Sequence, residues 1–301
     1  MLSLIQDLGR FGQAQLGLSC GGPADNHAFA WANRLLANDV NSAVIEISLG
    51  GLELVCLRDT QICITGAHLS VKINQQSIAQ WRVNCVKEGD TITLGMANKG
   101  TRIYLAVNGG FAVPQQFNSA ATVVREGIGG FDGRPLSVGQ TLTAYSSDTQ
   151  PLLGLAAADI PNYPNQLCLN VIKSYQHDQF HTSERERFFL SEYQVSHLAD
   201  RMGYRLSGAA IQYPTRTLYS EGICEGAIQI PADGQPIIIG KDRQTIGGYP
   251  KIGTLLSTDL SRLMQAGTGD RIRFRAINIE DAHNSLHLSR IKYANTQPLK
   301  L

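Results

Sequence analysis

Short apolar runs alternating with polar residues dominate this chain, and turn-forming residues interrupt them at close intervals. Residues 43–48, 52–57, 61–65, 70–73, 91–94 and 102–107 are rich in β-branched side chains, with Gly, Asn or Asp between them. That is the pattern of strands joined by tight turns. The second half has the same texture at 167–172, 204–206, 226–230, 236–239, 253–256 and 271–277. Many short strands at this spacing predict a mainly β protein, a sandwich or barrel rather than alternating β/α units. The stretch 147–164 is rich in Ala, Pro, Ser and Asp and reads as a linker, dividing the chain into domains 1–150 and 151–301. A short echo, Gly89-Asp90-Thr91-Ile92-Thr93-Leu94 against Gly269-Asp270-Arg271-Ile272-Arg273-Phe274, fits two related halves, although turn-plus-strand patterns of this length recur by chance.

Helical signals are few. Asp25 is placed to cap a helix over 26–36, with Ala28, Trp31, Ala32, Leu35 and Leu36 as its buried stripe. Ser183 with Glu186 reads as a capping box opening a helix that runs through Tyr193. A short helix is expected over 258–265, ended by Gly267, and a last one over 279–293.

Composition narrows the function classes. Of the 301 residues, 43% are hydrophobic and 17% charged, so a sizeable core is available and part of the surface suits large sheets or a protein partner. The net charge of +1 leaves no electrostatic footprint for nucleic acid or an anionic membrane. No window has the apolar length of a membrane span, and the first residues lack the basic and apolar segments of a secretory signal. The six cysteines form no Cys-x-x-Cys pair and read as buried thiols of a cytoplasmic, reducing environment.

The candidate chemistry lies in polar clusters on glycine-rich turns. The densest is Lys241-Asp242-Arg243-Gln244-Thr245-Ile246-Gly247-Gly248-Tyr249-Pro250, directly after the apolar run Pro236-Ile237-Ile238-Ile239. Acid, guanidinium, amide and hydroxyl at a strand end, with two glycines that admit close backbone approach, suit a planar polar ligand such as an amide, urea or carboxylate. A turn that satisfies its own backbone reads equally well. In Gln6-Asp7-Leu8-Gly9-Arg10-Phe11-Gly12 the acid and guanidinium could grip a planar anion or staple the N-terminus. Gly21-Gly22-Pro23-Ala24-Asp25 leads into a helix carrying His27 and Asn33, with Asp25 as an N-cap and Asn33 as an amide that must find partners if buried. It is no Walker loop, because no Gly-Lys-Ser/Thr follows. His68 stands alone at a strand end, where it is usually solvated or structurally bonded. Arg201 and Arg205 could hold a carboxylate or close a salt-bridged hairpin. Ser220-Glu221-Gly222 is a further polar turn, and Gln229 alternates with Ile228 and Ile230, so its amide faces away from theirs. Neither a nucleophile elbow nor zinc-type His spacing occurs, so no metal is expected.

These clusters, in this order, resemble the biotin-dependent carboxyltransferase or allophanate hydrolase subunit 2 family, which includes KipA, the C subunit of ATP-dependent 5-oxoprolinase and the carboxyltransferase domain of urea carboxylase. The resemblance rests on Gln6 to Gly12, Gly22-Pro23-Ala24-Asp25, Ala32-Asn33-Arg34-Leu35, Thr65-Gly66-Ala67, Tyr104-Leu105-Ala106-Val107, Gly129-Gly130 and Gly133-Arg134-Pro135-Leu136. It continues through Asp200-Arg201-Met202-Gly203-Tyr204-Arg205-Leu206, Gly226 to Pro236 and Asp242 to Pro250. There are departures: most of the strand before the Gln-Asp motif is missing. Asn118-Ser119-Ala120-Ala121-Thr122-Val123 stands where the family commonly has Gly-Ser-x-Ser-Thr-Asp, and Gly139-Gln140 where it has Gly-Asp.

The resemblance implies two cyclophilin-like β-barrel domains with a cleft between them. It implies a role as the C subunit of a 5-oxoprolinase that opens 5-oxo-L-proline to L-glutamate with ATP hydrolysis, inactive alone and working with an A-like and a B-like (KipI-like) subunit. Asp242, Arg243, Gln244 and Asn33 are then the expected catalytic residues. Gln6, Asp7, Arg10, Asp25, Arg201, Gln229, Thr245, Gly247, Gly248 and Tyr249 are expected to bind substrate. No tightly bound cofactor is expected, and the chain has no convincing ATP loop, which places the nucleotide on a partner. Two alternatives stay open: biotin-dependent carboxyl transfer to urea or a related amide, with the biotin carried elsewhere because no Met-Lys biotinyl motif occurs, and a non-enzymatic KipA-like regulator that binds a kinase inhibitor.

Overall fold

Nine strands follow one another in the first 107 residues: β1 (Ser3–Gln6), β2 (Val44–Ser48), β3 (Glu53–Val55), β4 (Thr60–His68), β5 (Val71–Ile73), β6 (Gln76–Ile78), β7 (Val83–Val86), β8 (Thr91–Leu94) and β9 (Lys99–Val107). The computed structural model describes residues 2–214 and 218–301. The described chain divides into two units, the first made of the residues up to Phe11, Gly21–Tyr163 and Thr296–Leu301, the second of Gly12–Cys20 and Pro164–Asn295. The mainly β class read from the sequence is the class observed.

In the first unit β1-β2-β9-β4-β7 form one sheet and β3-β8-β5-β6 another. Ile45, Ile47, Ile62, Ile64, Ile103 and Leu105 from the first pack with Val71, Ile92 and Leu94 from the second in one shared core. The opposite face of the five-stranded sheet is covered by α1 (Asn26–Leu35), where Phe29 meets Tyr104 edge to face and Thr65 Oγ1 donates to Ala28 O (2.7 Å). Cover on both faces explains why the second half of β9, 103–107, reads as an unbroken apolar run rather than an alternating one. The first strand is not lost: Ser3–Gln6, all buried, pairs antiparallel with β2 over four residues. Farther along, β10 (Leu153–Gly154) takes its partner from the end of the chain.

The second unit is built around a closed seven-stranded barrel. Its strands are β11 (Gln166–Lys173), β12 (Tyr193–Val195), β13 (Gly203–Ser207), β14 (Glu221–Gly222), β15 (Ala227–Gln229), β16 (Ile237–Ile239), β17 (Ile246–Gly247), β18 (Lys251–Leu255) and β19 (Arg271–Ile277). The barrel order is β11-β18-β15-β16-β13-β12-β19, while β14 and β17 form a separate two-stranded ribbon. Alternation sorts the sides: Leu167, Leu169, Val171, Ile272 and Phe274 are buried, and Arg271, Arg273 and Arg275 point out. β20 (Leu299–Lys300) returns to pair with β10 in the first unit.

Three expectations are corrected. The helix expected to run through Tyr193 is α2 (Thr182–Leu190), and Tyr193–Val195 is a strand with Tyr193 and Val195 buried about an exposed Gln194. No capping box forms: Ser183 lies inside the first turn and the N-cap is His181 without a side-chain bond. The helix is anchored instead through Glu184, which pairs with Arg187 (3.0 Å) and accepts from Gln212 N (2.8 Å). All six cysteines are free, but only Cys56 and Cys63 are buried; Cys85, Cys168 and Cys224 are exposed, Cys168 because strand alternation turns it away from its buried neighbours Leu167 and Leu169. The remaining helices, α3 (Ser257–Leu263) and α4 (Ile279–Asn295), fall where the sequence placed them. No helix among the described residues is long and apolar enough to cross a membrane.

Candidate functional site

The expected site residues of the first unit are tied to their own chain. Gln6, the last residue of β1, donates from Nε2 to Thr122 O (3.0 Å) and accepts from Gly22 N (3.0 Å). Asp7 accepts from Ser119 Oγ (2.6 Å), Gly9 N (2.9 Å) and Ala120 N (2.7 Å). Arg10 donates from Nη2 to Ala121 O (2.8 Å) and from Nε to Gln116 O (3.4 Å). All three side chains are buried. The acceptor loop is the segment that departs from the family pattern. Most of these bonds end on its backbone, and Ser119 adds a side-chain hydroxyl. The fit is tight enough to need glycine at Gly22, where φ is +90° and a Cβ would lie 2.6 Å from Leu8 O.

Asp25 is the N-cap of α1, accepting from His27 N (3.0 Å) and Ala28 N (3.1 Å), and it also accepts from Tyr163 OH (3.2 Å). Tyr104 OH donates to Glu46 Oε2 (2.8 Å) and accepts from Asp25 N (2.7 Å). Burial, reinforced by the nearby carboxylates, pushes both phenols well above their usual range, so they stay protonated as donors. Asn33, in the last turn of α1, donates to Ser42 O (2.9 Å) and accepts from Asn38 Nδ2 (3.1 Å), which stitches the helix end to the following loop.

The second unit places its candidates differently. Asp242 and Arg201 form a buried two-pronged pair, Nε to Oδ2 and Nη2 to Oδ1 each at 2.9 Å, and Asp242 N donates to Arg201 O (3.0 Å). Arg205 pairs with Asp233 (3.0 Å), so each arginine of this hairpin has its own acid. Arg243 donates from Nε to Ile223 O (3.0 Å), and its carbonyl accepts from Ser19 Oγ (2.6 Å). Its Nη1 is buried and has no hydrogen-bond partner among the described residues. The same holds for Nε2 of Gln229 on β15, a residue only 4% exposed. Gly247 packs against Ile223 beside Gln229: a Cβ there would stand 2.5 Å from Ile223 Cδ1 and 3.4 Å from Gln229 Nε2. At Gly248, by contrast, a Cβ would meet only ordinary contacts, Ser220 Oγ at 3.5 Å being the nearest. Thr245 contributes its carbonyl to Ile223 N (3.0 Å), while Gln244 and Tyr249 are exposed.

A buried donor without an acceptor costs about 1–3 kcal/mol. Gln229 Nε2 and Arg243 Nη1 are two such donors, and a ligand oxygen that reached either would complete its bonding.

Sequence reasoning missed Lys251, Tyr175 and Gln176 and gave Glu221 no role. Lys251 opens β18 opposite Gln229 and ion-pairs with Glu221 Oε1. Tyr175 OH donates to Glu221 Oε2, and Gln176 Nε2 reaches both Tyr175 OH (2.8 Å) and Glu221 Oε1 (3.1 Å). Lys251 and then Tyr175 hold the Glu221 carboxyl below the usual carboxylate range. The available signal was the lysine directly after the Gly-Gly-Tyr-Pro motif, in an otherwise apolar strand.

The family model for the carboxyltransferase domain, subdomains A and B, matches residues 16–276. The chain belongs to this carboxyltransferase-domain family. The C subunit of 5-oxoprolinase from Haemophilus influenzae is 35% identical over 297 residues, covering 96% of this chain and 94% of that protein. The C subunit of 5-oxoprolinase from Escherichia coli is 34% identical over 284 residues, covering 94% and 90%. The crystal structure of the Kluyveromyces lactis urea carboxylase matches 98% of this chain at a TM-score of 0.92 and 26% identity, while this chain spans 28% of that protein. As a carboxyltransferase-domain protein the chain thus resembles both stand-alone oxoprolinase subunits and a segment of a larger carboxylase.

Proposed function

We propose that this protein is the C subunit of an ATP-dependent 5-oxoprolinase, opening 5-oxo-L-proline to L-glutamate together with A-like and B-like subunits. The observation that carries this reading is the near end-to-end match to two proteins named as the C subunit of 5-oxoprolinase. The chemistry suits the donors described above. A lactam is a stable amide, and transferring the γ-phosphoryl group of ATP to its oxygen releases ADP and makes C5 electrophilic. Water then adds at C5, the ring C–N bond breaks with the nitrogen taking a proton, and a second water releases phosphate. Through these steps negative charge gathers on oxygen at the former carbonyl, where preorganised donors stabilise it. In this reading Gln229 Nε2 and Arg243 Nη1 take that oxygen, and Arg201 fixes Asp242 beside them as the acid–base group. Gln244, Thr245, Gly248 and Tyr249 form the approach. Gln6, Asp7, Arg10, Asp25 and Asn33 act by shaping the backbone of the first unit. ATP is a substrate of the complex, held on a partner subunit, and no tightly bound cofactor is assigned to this chain.

A second reading, carboxyl transfer from carboxybiotin to an amide nitrogen, is favoured by the likeness to the urea carboxylase structure. The two are separated by reconstituting the chain with candidate partners. ATP hydrolysis that requires 5-oxoproline and stops when this chain is left out supports the first; turnover indifferent to the chain contradicts it.

A further inference from the structure

We infer that Gln229 and Glu221, on either side of Gly247, form a donor–acceptor pair that reads the cis-amide edge of a small ring, a lactam or a cyclic ureide. This rests on the reading that the ligand is a cyclic amide. In such a ring the C=O and N–H are locked on one side, so the edge presents one acceptor beside one donor, and a matching site needs one donor beside one acceptor.

Several observations place that pair. Gln229 Nε2 is a buried donor without a hydrogen-bond partner among the described residues, 3.4 Å from where a side chain on Gly247 would begin. Glu221 is the register partner of Gly247 across the β14–β17 ribbon. Lys251, which ion-pairs with Glu221, is the register partner of Gln229 across β15 and β18, where a bulge intervenes. Antiparallel partners project to the same face, so the two strand pairings bring Gln229 and Glu221 together about Gly247 and Lys251. The Glu221 side chain is 36% exposed, accessible to a solute while still held.

The remaining groups set the acceptor. Lys251, buried, balances the charge of Glu221, and Tyr175 and Gln176 orient its oxygens. Gln176 Oε1 accepts from Lys251 N (2.7 Å), which ties the loop after β11 to β18. A carboxylate kept ionised accepts a lactam N–H but is a poor proton carrier, so Glu221 binds the ring rather than moving its proton. Tyr175 and Lys251 are positioning residues acting through it.

The test is a nuclear magnetic resonance titration of the full chain, following the Gln229 side-chain amide. The probes are 2-pyrrolidinone, N-methyl-2-pyrrolidinone and 2-imidazolidinone. The two rings with a free N–H are expected to shift that resonance, and the N-methyl compound to bind at least about tenfold more weakly, as for a lost hydrogen bond to a charged group. Glu221→Gln should weaken 2-pyrrolidinone by a similar factor. Tyr175→Phe, which keeps the shape, should move the acid limb of binding to higher pH, because the carboxylate loses a hydroxyl that lowers its pKa. Equal binding of the N-methyl ring, no shift with any probe, or wild-type affinity in Glu221→Gln overturns the pair; an unmoved acid limb in Tyr175→Phe overturns the positioning role. Which free N–H ring binds more tightly separates lactam from ureide. Amide binding by this edge without 5-oxoproline-dependent turnover in the reconstituted assembly removes the oxoprolinase reading and leaves the pair standing.

Discussion

Gln6 and Asp7 in the first unit and Gln229 and Arg243 in the second are polar side chains on similar glycine-rich turns, yet they are bonded in different ways. Gln6 and Asp7 meet main-chain N–H and C=O groups of loops more than a hundred residues away or at Gly22, and the hydroxyl of Ser119. Gln229 and Arg243 each keep a buried donor that nothing among the described residues accepts. The named atoms of Gln6 and Asp7 are taken up in closing the fold, whereas Gln229 and Arg243 each leave a donor open at a cost the rest of the fold must offset.

The comparison can be broken first at the Arg201–Asp242 pair, which anchors the second cluster. Asp242→Ala leaves a buried guanidinium without its acid and should cost about 3–5 kcal/mol in chemical denaturation; a loss below about 1 kcal/mol would mean water reaches Arg201. In the first unit Asp7→Ala strands three donors, Ser119 Oγ, Gly9 N and Ala120 N, and should cost at least about 2 kcal/mol by the same measurement. One substitution made in both regions sharpens the contrast. Gln6→Met strands Gly22 N and should cost about 1–3 kcal/mol, whereas Gln229→Met removes an unsatisfied donor and should change stability by less than about 0.5 kcal/mol or raise it. Equal losses at the two glutamines would erase the distinction.

The smallest effect is electrostatic. Glu221 has a lowered pKa, so its contribution to stability is fully present above the ordinary glutamate value and is lost as pH falls through the lowered one. Glu221→Gln should flatten that part of the acid limb of a stability–pH profile, and an unchanged limb would show that Lys251 does not hold the carboxylate in solution.

Strand periodicity made most of the fold legible. Arg271–Ile277 was readable to the residue because it alternates over 271–275, with arginines outward and Ile272 and Phe274 inward. Tyr193–Val195 was misread because three residues carry no period, and a preceding helix signal ran into them. The candidate site was half legible. Glycine-rich polar clusters include Gln229, Arg243 and Gly247, but nothing local shows whether an amide donor's acceptor lies 116 residues away, as for Gln6, or is absent among the described residues, as for Gln229 Nε2. Lys251 escaped because its meaning comes from cross-strand register with Gln229 and from Glu221 thirty positions earlier.

The central claim is that the open donor of Gln229 serves a ligand. It is tested most directly by 5-oxoproline-dependent ATP hydrolysis in the reconstituted assembly, comparing wild type with Gln229→Met at matched folded concentration. The account predicts that turnover falls at least about tenfold while the melting behaviour of the chain is unchanged. Wild-type turnover from Gln229→Met would contradict it.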